Sequence, residues 1–562
     1  MFLTKHPLRV GLFFSVIFFF LVLFTVKLSS IQIFRSGYLS DKAERQQNHT
    51  VELEPRRGGI LDRNGRALAL NVMVYSLYAN PRVMSDADKA LVTEKLSKVL
   101  GLKRSVLSDK LGKSKYFVWL ARKLSADVYE KIKDLKLPGT AFVKESRRFY
   151  PNGDMAAHVI GFANIDNIGL QGVEYEYDRY LRGEKGMAQV LRDARQRDLL
   201  IEKEYLPAKD GDDVVLTIDE TIQFIAERAL DKAVTKHNAR AGTVIVMDPR
   251  TGEILAFANR PTFRPDSPDT TGVESRTNRA VAFVFEPGSV FKIVTAAAAL
   301  EEGAFNEEDV IFCENGKYRI ANHILKDAHP HGNLTFQGVV EMSSNIGFAK
   351  IAQKLGANKV YEYGRRFRFG MRTDIGMIGE VNGMFKPVSS WSKTSIGAIP
   401  MGQEVTVTAI QLTGMIAAVA NNGTYMKPHY VKMVRHPDGG VVQSFRPRIV
   451  TRVMHEDTAR RLKTILQGVV DNGTGRAVKM KDVTAAGKTG TAQKVVGGVY
   501  SHSKFVSSFI GFAPVEDPKF AIVVSIDEPH PAYYGGVVAG PVFKEIVEDS
   551  LKYLSAETRS KE

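Results

Sequence analysis

Ser289 and Lys292 stand three residues apart in Phe285-Glu286-Pro287-Gly288-Ser289-Val290-Phe291-Lys292, ahead of an apolar run from Ile293 to Leu300 that ends near Gly303. Residues three apart share a helix face, so the hydroxyl and the amine point the same way. A serine hydroxyl is a poor nucleophile until a base takes its proton. Lysine serves as that base only when burial or a second cation lowers its pKa. The apolar run predicts the burial, and Pro287-Gly288 before it and Gly303 after it bracket a helix whose N-terminus favours negative charge developing near Ser289. The same spacing also fits an ordinary helix cap. It recurs in Ser501-His502-Ser503-Lys504, within a Gly-rich stretch with no helix behind it, where it reads as accidental.

Two further clusters strengthen the chemical reading. Ser343-Ser344-Asn345 lies between a helical run ending near Met342 and another from Ile346 to Leu355, and such a polar break presents a hydroxyl and a carboxamide to a cleft, although alone it too is a cap. Lys488-Thr489-Gly490-Thr491 lies in a segment patterned as a strand. A cation with two flanking hydroxyls suits a carboxylate, and the glycine lets a ligand backbone approach the strand edge. Gly487-Lys488-Thr489 imitates the end of a phosphate-binding loop, but the glycine that loop needs five residues before Gly487 is Asp482, and no helix follows. No His-Glu-x-x-His zinc motif occurs, and His329-Pro330-His331 is too isolated for a metal site.

The elements that must position these residues follow from the patterning. At 562 residues with 44% apolar content, the chain is long enough for several packed domains. Its net charge of +15 suits an anionic partner without choosing among nucleic acid, lipid and acidic polymer. Cys313 is the single cysteine, so no intrachain disulfide forms, and a small buried apolar role fits it best. Val10 to Val26 carries no charge over seventeen residues and no small-x-small cleavage site follows, which reads as an uncleaved signal anchor. Lysines and arginines flank both ends, so charge alone leaves its orientation open.

Leu39 to Asn48 reads as a polar helical stalk, and Ile60-Leu61, Asp62-Arg63-Asn64-Gly65 and Ala67 to Leu70 as a hairpin. The nearby arginines fit either a binding patch or structural ion pairs. Asp86 to Leu100 and Ala126 to Leu135 are helical scaffold, and His158 is a structural hydrogen-bonding residue. Pro207 to Gly211 fits a domain boundary. Beyond it, Val214 to Ile218 reads as a strand and Ile222, Ile225, Ala226, Ala229, Leu230, Ala233 and Val234 as one helix face. Gly242 to Met247 and Glu253 to Ala258 form a hairpin; helices dominate from Ser289 to about Gly356, and recur over Val405 to Asn421 and His455 to Val470. Strands return at Thr484 to Val495, Phe505 to Ala513 and Phe520 to Ile526, before a closing helix from Gly540 to Leu554. This order predicts an α+β fold with one antiparallel sheet, joined from its first and last segments and covered by helices on both faces.

The three motifs in this order resemble those of penicillin-binding proteins and class A β-lactamases, with serine in the variable middle position of Ser343-Ser344-Asn345. Arg57-Gly58-Gly59-Ile60-Leu61-Asp62-Arg63-Asn64-Gly65, Arg148-Phe149-Tyr150-Pro151, Gly169-Leu170-Gln171-Gly172-Val173-Glu174 and Phe285-Glu286-Pro287-Gly288-Ser289 extend the resemblance to class B penicillin-binding proteins over nearly the whole chain. Tyr533 to Phe543 resembles the division-specific FtsI type. That resemblance implies a transpeptidase fold with a sheet of about five strands over residues 207–556, an N-terminal mixed α/β pedestal of the dimerisation type over 34–206, a transmembrane anchor over 10–33 and a cytoplasmic tail over 1–9.

It also implies a peptidoglycan D,D-transpeptidase, without metal or cofactor, acting on stem peptides ending in D-Ala-D-Ala and inhibited by β-lactams. Ser289 would attack the carbonyl between the terminal D-alanines, and Lys292 would take its proton. Ser343 and Lys488 would relay a proton to the leaving amine, and Asn345 would orient the acyl chain. Thr489 and Thr491 would hold the terminal carboxylate beside Gly490, with the backbone amides of Ser289 and Thr491 as the oxyanion hole. The implied partners are an FtsW-like SEDS glycosyltransferase and other division membrane proteins rather than nucleic acid. The implied place is the outer side of the cytoplasmic membrane at the division site. A β-lactamase, a β-lactam sensor, an elongation or sporulation transpeptidase and a non-catalytic tethered scaffold are the rival readings.

Overall fold

The computed structural model describes residues 7–39, 42, 48–192 and 198–561. They form two compact units, Met1–Arg56 with Gly183–Asp210, and Arg57–Arg182 with Gly211–Glu562. In the first unit Pro7–Ser29 is helical, and Leu8–Ile33 is long and apolar enough to cross a membrane by length and composition. Phe13, Phe18 and Phe24 are all exposed there, an arrangement unfavourable in water and favourable in hydrocarbon. Asn48–Leu53, Gly186–Arg192 and Asp198–Leu206 make a three-stranded antiparallel sheet in this unit. The stalk expected over Leu39 to Asn48 lies, apart from Leu39, Lys42 and Asn48, outside the described residues, and Asn48 opens a strand.

The second unit is built on a five-stranded antiparallel sheet of β1 (Ala241–Met247), β2 (Ile254–Arg260), β3 (Ala486–Val496), β4 (Val499–Ala513) and β5 (Phe520–Asp527), in the order β2-β1-β5-β4-β3. Its helices are α1 (Glu220–Lys236), α2 (Lys292–Glu301), α3 (Asn345–Leu355), α4 (Ala409–Ala420), α5 (Glu456–Asp471) and α6 (Gly540–Lys561). As expected, early and late segments share the sheet: Val244 of β1 stands opposite Val524 of β5. Successive strand residues face opposite sides. Val244, Val246, Ile522 and Val524 therefore pack with Ile222 and Leu230 of α1 and Phe543 and Ile546 of α6, whereas Ile245, Met247, Ala521 and Val523 join the core of α2 and α4. Both faces are covered.

All residues of α4 are buried, so no polar face is needed, and a capping box between Thr408 and Gln411 satisfies its first amides. Asp219 caps α1 by accepting from Thr221 and Ile222. A second sheet runs Val441–Ser444, Val431–Arg435, Asp213–Leu216, Ile60–Leu61, Ala67–Ala79 and Val118–Ala121, with Thr140–Phe149 also paired to Ala67–Ala79. The hairpin expected at Asn64-Gly65 is present, with Gly65 at φ +84°. Of the arginines near it, Arg57 bonds Glu174 at 2.7 Å and Asp178 at 2.6 Å, Arg63 bonds Glu253 at 3.1 Å and Arg66 lies 3.7 Å from Glu220; Arg148 bonds Glu174 at 2.5 Å as well. His158 is buried and bonds Ser275 O at 2.8 Å, and burial lowers its pKa to about 4.

Two segments differ from the sequence reading. Between α2 and α3 the chain is not all helical, because Val310–Phe312 pairs with Asn333–Thr335 and Lys317–Ile320 with His323–Lys326. The alternation in Lys317-Tyr318-Arg319-Ile320 is a strand pattern, but four residues are too short a window to outweigh the flanking helices. β4 starts at Val499 rather than Phe505, since Gly497 and Gly498, both at positive φ, close a two-residue turn that pairs Val496 with Val499.

Candidate active site

Ser289 lies half-buried in a 3-10 turn, Gly288–Phe291, that leads into α2. Gly288, at φ +57°, sets the entry, and its amide donates to Gly402 O at 3.3 Å. Lys292 is the first residue of α2 and is fully buried. Its ammonium donates to Ser343 O at 2.7 Å, Ser343 Oγ at 3.1 Å and Asn345 Oδ1 at 2.7 Å. Those three acceptors match the three donors of an ammonium. Burial and the neighbouring Lys488 charge nevertheless push its pKa well below the usual lysine value, against a smaller opposing pull from Asp327. The condition for a lysine base is thereby met.

The polar break before α3 has a specific geometry. Ser343 sits at φ +58°, a left-handed conformation strained for a residue with a side chain. Ser344 caps α3, its hydroxyl accepting from Gly347 N at 2.9 Å and donating to Asp327 Oδ2 at 2.6 Å. Asp327 Oδ1 accepts from Asn345 N at 2.5 Å and Ile346 N at 3.0 Å. The Asn345 amide nitrogen donates to Lys326 O at 2.9 Å, which leaves its oxygen for Lys292.

β3 supplies the third group. Lys488 is fully buried, and desolvation lowers its pKa to about 7. Thr489 Oγ1 lies 2.8 Å from Thr474 Oγ1, and Thr491 Oγ1 accepts from Gly535 N at 3.0 Å. A methyl group at Gly490 would lie 2.9 Å from Val290 Cγ1 and 3.2 Å from Pro287 O, so β3 runs directly against the turn that carries Ser289. The fold thus brings all three motifs to one place: Lys292, Ser343 and Asn345 by direct bonds, Lys488 to Thr491 by strand packing. Ser501 and Lys504 lie instead on β4, where the Ser501 hydroxyl accepts the Ser503 and Lys504 amides and lies 3.5 Å from Ser503 Oγ. A cavity of about 470 Å³ near His158, Glu176 and Tyr430 is lined by none of Ser289, Lys292, Ser343, Asn345 and Lys488 to Thr491.

Asp327 and Thr474 escape a reading of the sequence. Asp327 lies in the turn-rich Asp327-Ala328-His329-Pro330-His331-Gly332 and Thr474 in Asn472-Gly473-Thr474-Gly475. Their composition announces loops, but nothing in it names the residues they reach.

A half-buried serine three residues before a desolvated lysine, with a second buried lysine and two hydroxyls on an adjoining strand, is the set of groups that serine acyl transfer requires. Residues 242–548 match the penicillin binding protein transpeptidase domain, and residues 52–216 the penicillin-binding protein dimerisation domain. Stage V sporulation protein D of Bacillus subtilis is 35% identical over 565 residues, covering 99% of this chain and 87% of that protein. Peptidoglycan D,D-transpeptidase FtsI of Escherichia coli is 32% identical over 534 residues, covering 94% and 88%. A crystal structure of penicillin binding protein 3 from Mycobacterium tuberculosis, complexed with aztreonam, superposes with a TM-score of 0.69 at 27% identity, covering 90% of this chain and 97% of that one. The chain belongs to the class B penicillin-binding proteins, the peptidoglycan D,D-transpeptidases.

Proposed function

We propose that Ser289 is the nucleophile of a transpeptidation that cross-links peptidoglycan stem peptides, and that the enzyme works at the division septum. Lys292 takes the Ser289 proton as Oγ bonds the carbonyl between two terminal D-alanines. The carbonyl oxygen becomes an oxyanion held by the Ser289 and Thr491 amides; one such donor is worth about 3 kcal/mol of barrier. The proton held by Lys292 passes through Ser343 to replace the one that Lys488 gives the departing amine, the C–N bond breaks, and the terminal D-alanine leaves. An acyl ester remains on Ser289. Asn345 orients its amide, while Thr489 and Thr491 with Gly490 hold the terminal carboxylate until departure. The amine of a second stem then attacks the ester, and the proton it sheds returns to Ser289.

The observation that carries this reading is the bonding of Lys292 to both Ser343 and Asn345 beside a second buried lysine. The aztreonam complex of the similar protein supports β-lactams as inhibitors here. Likeness to FtsI and the Tyr533 to Phe543 segment favour septal work, with an FtsW-like glycosyltransferase as partner, while likeness to stage V sporulation protein D keeps a sporulation role as the second reading. The apolar helix over Leu8–Ile33 would anchor the enzyme, with residues 34–206 as pedestal and 207–556 as catalytic domain outside the membrane.

Fluorescent penicillin should label the full chain and leave Ser289→Ala unlabelled; labelled Ser289→Ala would refute the nucleophile. A fluorescent fusion should gather at mid-cell, and an even distribution along the wall would refute the septal role.

A further inference from the structure

The hairpin of Lys317–Ile320 and His323–Lys326 borders Asn345 and carries charge that the reaction above does not use. Its register sets Lys317 opposite Lys326 and Arg319 opposite Ile324, so these four side chains leave the same face. All four are exposed. The other face is anchored: Ile320 and Leu325 are buried, and Tyr318 donates to Gln353 of α3 at 3.1 Å. The cationic face is therefore fixed outward.

Like charges directly opposite on neighbouring strands destabilise a hairpin. Among the described residues, Lys317, Arg319 and Lys326 have no ion-pair partner to relieve them. The acids nearby in sequence are taken, Glu314 by Lys350 at 2.6 Å and Asp327 by the amides and hydroxyl that start α3. Many charged faces are merely solvated. This one begins at the residue whose carbonyl accepts from the Asn345 side chain, at 2.9 Å.

We propose that this face binds a carboxylate carried by the acyl donor, on the side of the acylated residue away from the terminal carboxylate. The inference rests on the proposed roles of Asn345 and β3. With Thr489 and Thr491 on the terminal carboxylate and Asn345 on the amide before the scissile bond, the rest of the donor leaves past Asn345, alongside Lys326. An extended peptide advances about 3.3–3.6 Å per residue, and paired strands lie about 4.7–4.9 Å apart. A carboxylate one or two residues upstream then meets three cations whose charge-assisted bonds need no rearrangement of the fold. The site thus reads charge at both ends of its donor.

The test uses the full chain in detergent micelles and two synthetic peptide thioester donors, identical except for a carboxylate or a carboxamide two residues before the acylated one. Wild type should favour the carboxylate donor about 5–10-fold in kcat/KM, and the preference should shrink from about 0.05 M to about 0.5 M salt. Lys317→Gln/Arg319→Gln/Lys326→Gln should lose it, and Lys317→Arg/Arg319→Lys/Lys326→Arg should keep it. Penicillin acylation reports separately on folding and on Ser289, and should be unchanged in both. Equal rates for the two donors in wild type, or an intact preference in the glutamine variant, overturns the proposal. Should the glutamine variant lose penicillin acylation as well, Lys326→Glu decides: it should reverse the preference, and an unaltered one overturns the proposal.

Discussion

In the proposed reaction Lys292 and Lys488 need opposite protonation states in one buried place. As base, Lys292 must be neutral, whereas Lys488 must be charged to donate to the leaving group. Burial disfavours charge on both, and the Lys488 charge weighs further on Lys292, so both lysines titrate below their usual range, Lys488 at about 7. Penicillin acylation should therefore fall on the alkaline side, through about 7, as Lys488 loses its charge. Lys488→Arg, charged throughout, should flatten the alkaline limb in a rapid-mixing acylation series. A wild-type rate still rising at pH near 9 would show that the Lys488 charge is dispensable. Stability has its own sign. Both folded pKa values lie below the unfolded lysine value of about 10.4, the unfolded chain binds more protons between them, and these two groups destabilise the fold less as pH rises from about 7 towards 10. The site keeps its reactivity at a cost in stability.

At the scale of elements, α3 starts where it does because Asp327 and Ser344 occupy its first free amides. That cap also fixes Asn345, and through it the Lys292 ammonium. Asp327→Asn keeps the shape but turns one acceptor into a donor facing the Ser344 hydroxyl. It should slow penicillin acylation about tenfold and cost about 1 kcal/mol of unfolding free energy, read by stopped flow and urea titration. An unchanged rate would show that Asn345 is held by other contacts. The same case marks what can be read from sequence. Ser289 with Lys292, and Lys488 with Thr491, are legible because each pair lies within one turn or one strand, where spacing dictates direction. The strands of the sheet were legible as short apolar runs bounded by turn residues, such as Asp248-Pro249-Arg250-Thr251-Gly252 between β1 and β2. Asp327 and Thr474 come from loops 17 and 15 residues from their hydroxyl partners Ser344 and Thr489, and no local period connects them. The short hairpins between α2 and α3 fall below the length at which a period of two can be recognised.

At the scale of the molecule, Glu174 joins distant parts of the second unit. It is fully buried and binds Arg57 and Arg148, and Arg148 also donates to Gly58 O at 2.7 Å. A buried pair of this kind adds little over a well-packed apolar group, but losing one partner strands charge and costs about 3–5 kcal/mol. Glu174→Gln leaves two buried arginines with less than their charge balanced, some hundred residues before Ser289. Since Arg57–Arg182 and Gly211–Glu562 form one compact unit, the damage should reach the catalytic half by cooperative unfolding rather than by local geometry. Heating the variant before adding fluorescent penicillin should move the loss of labelling to lower temperature, together with the loss of far-ultraviolet dichroism, while acylation in the cold stays near wild type. Should dichroism fall early and labelling keep its wild-type midpoint, residues 57–182 unfold on their own, and the ion pairs stabilise only the segment that holds them.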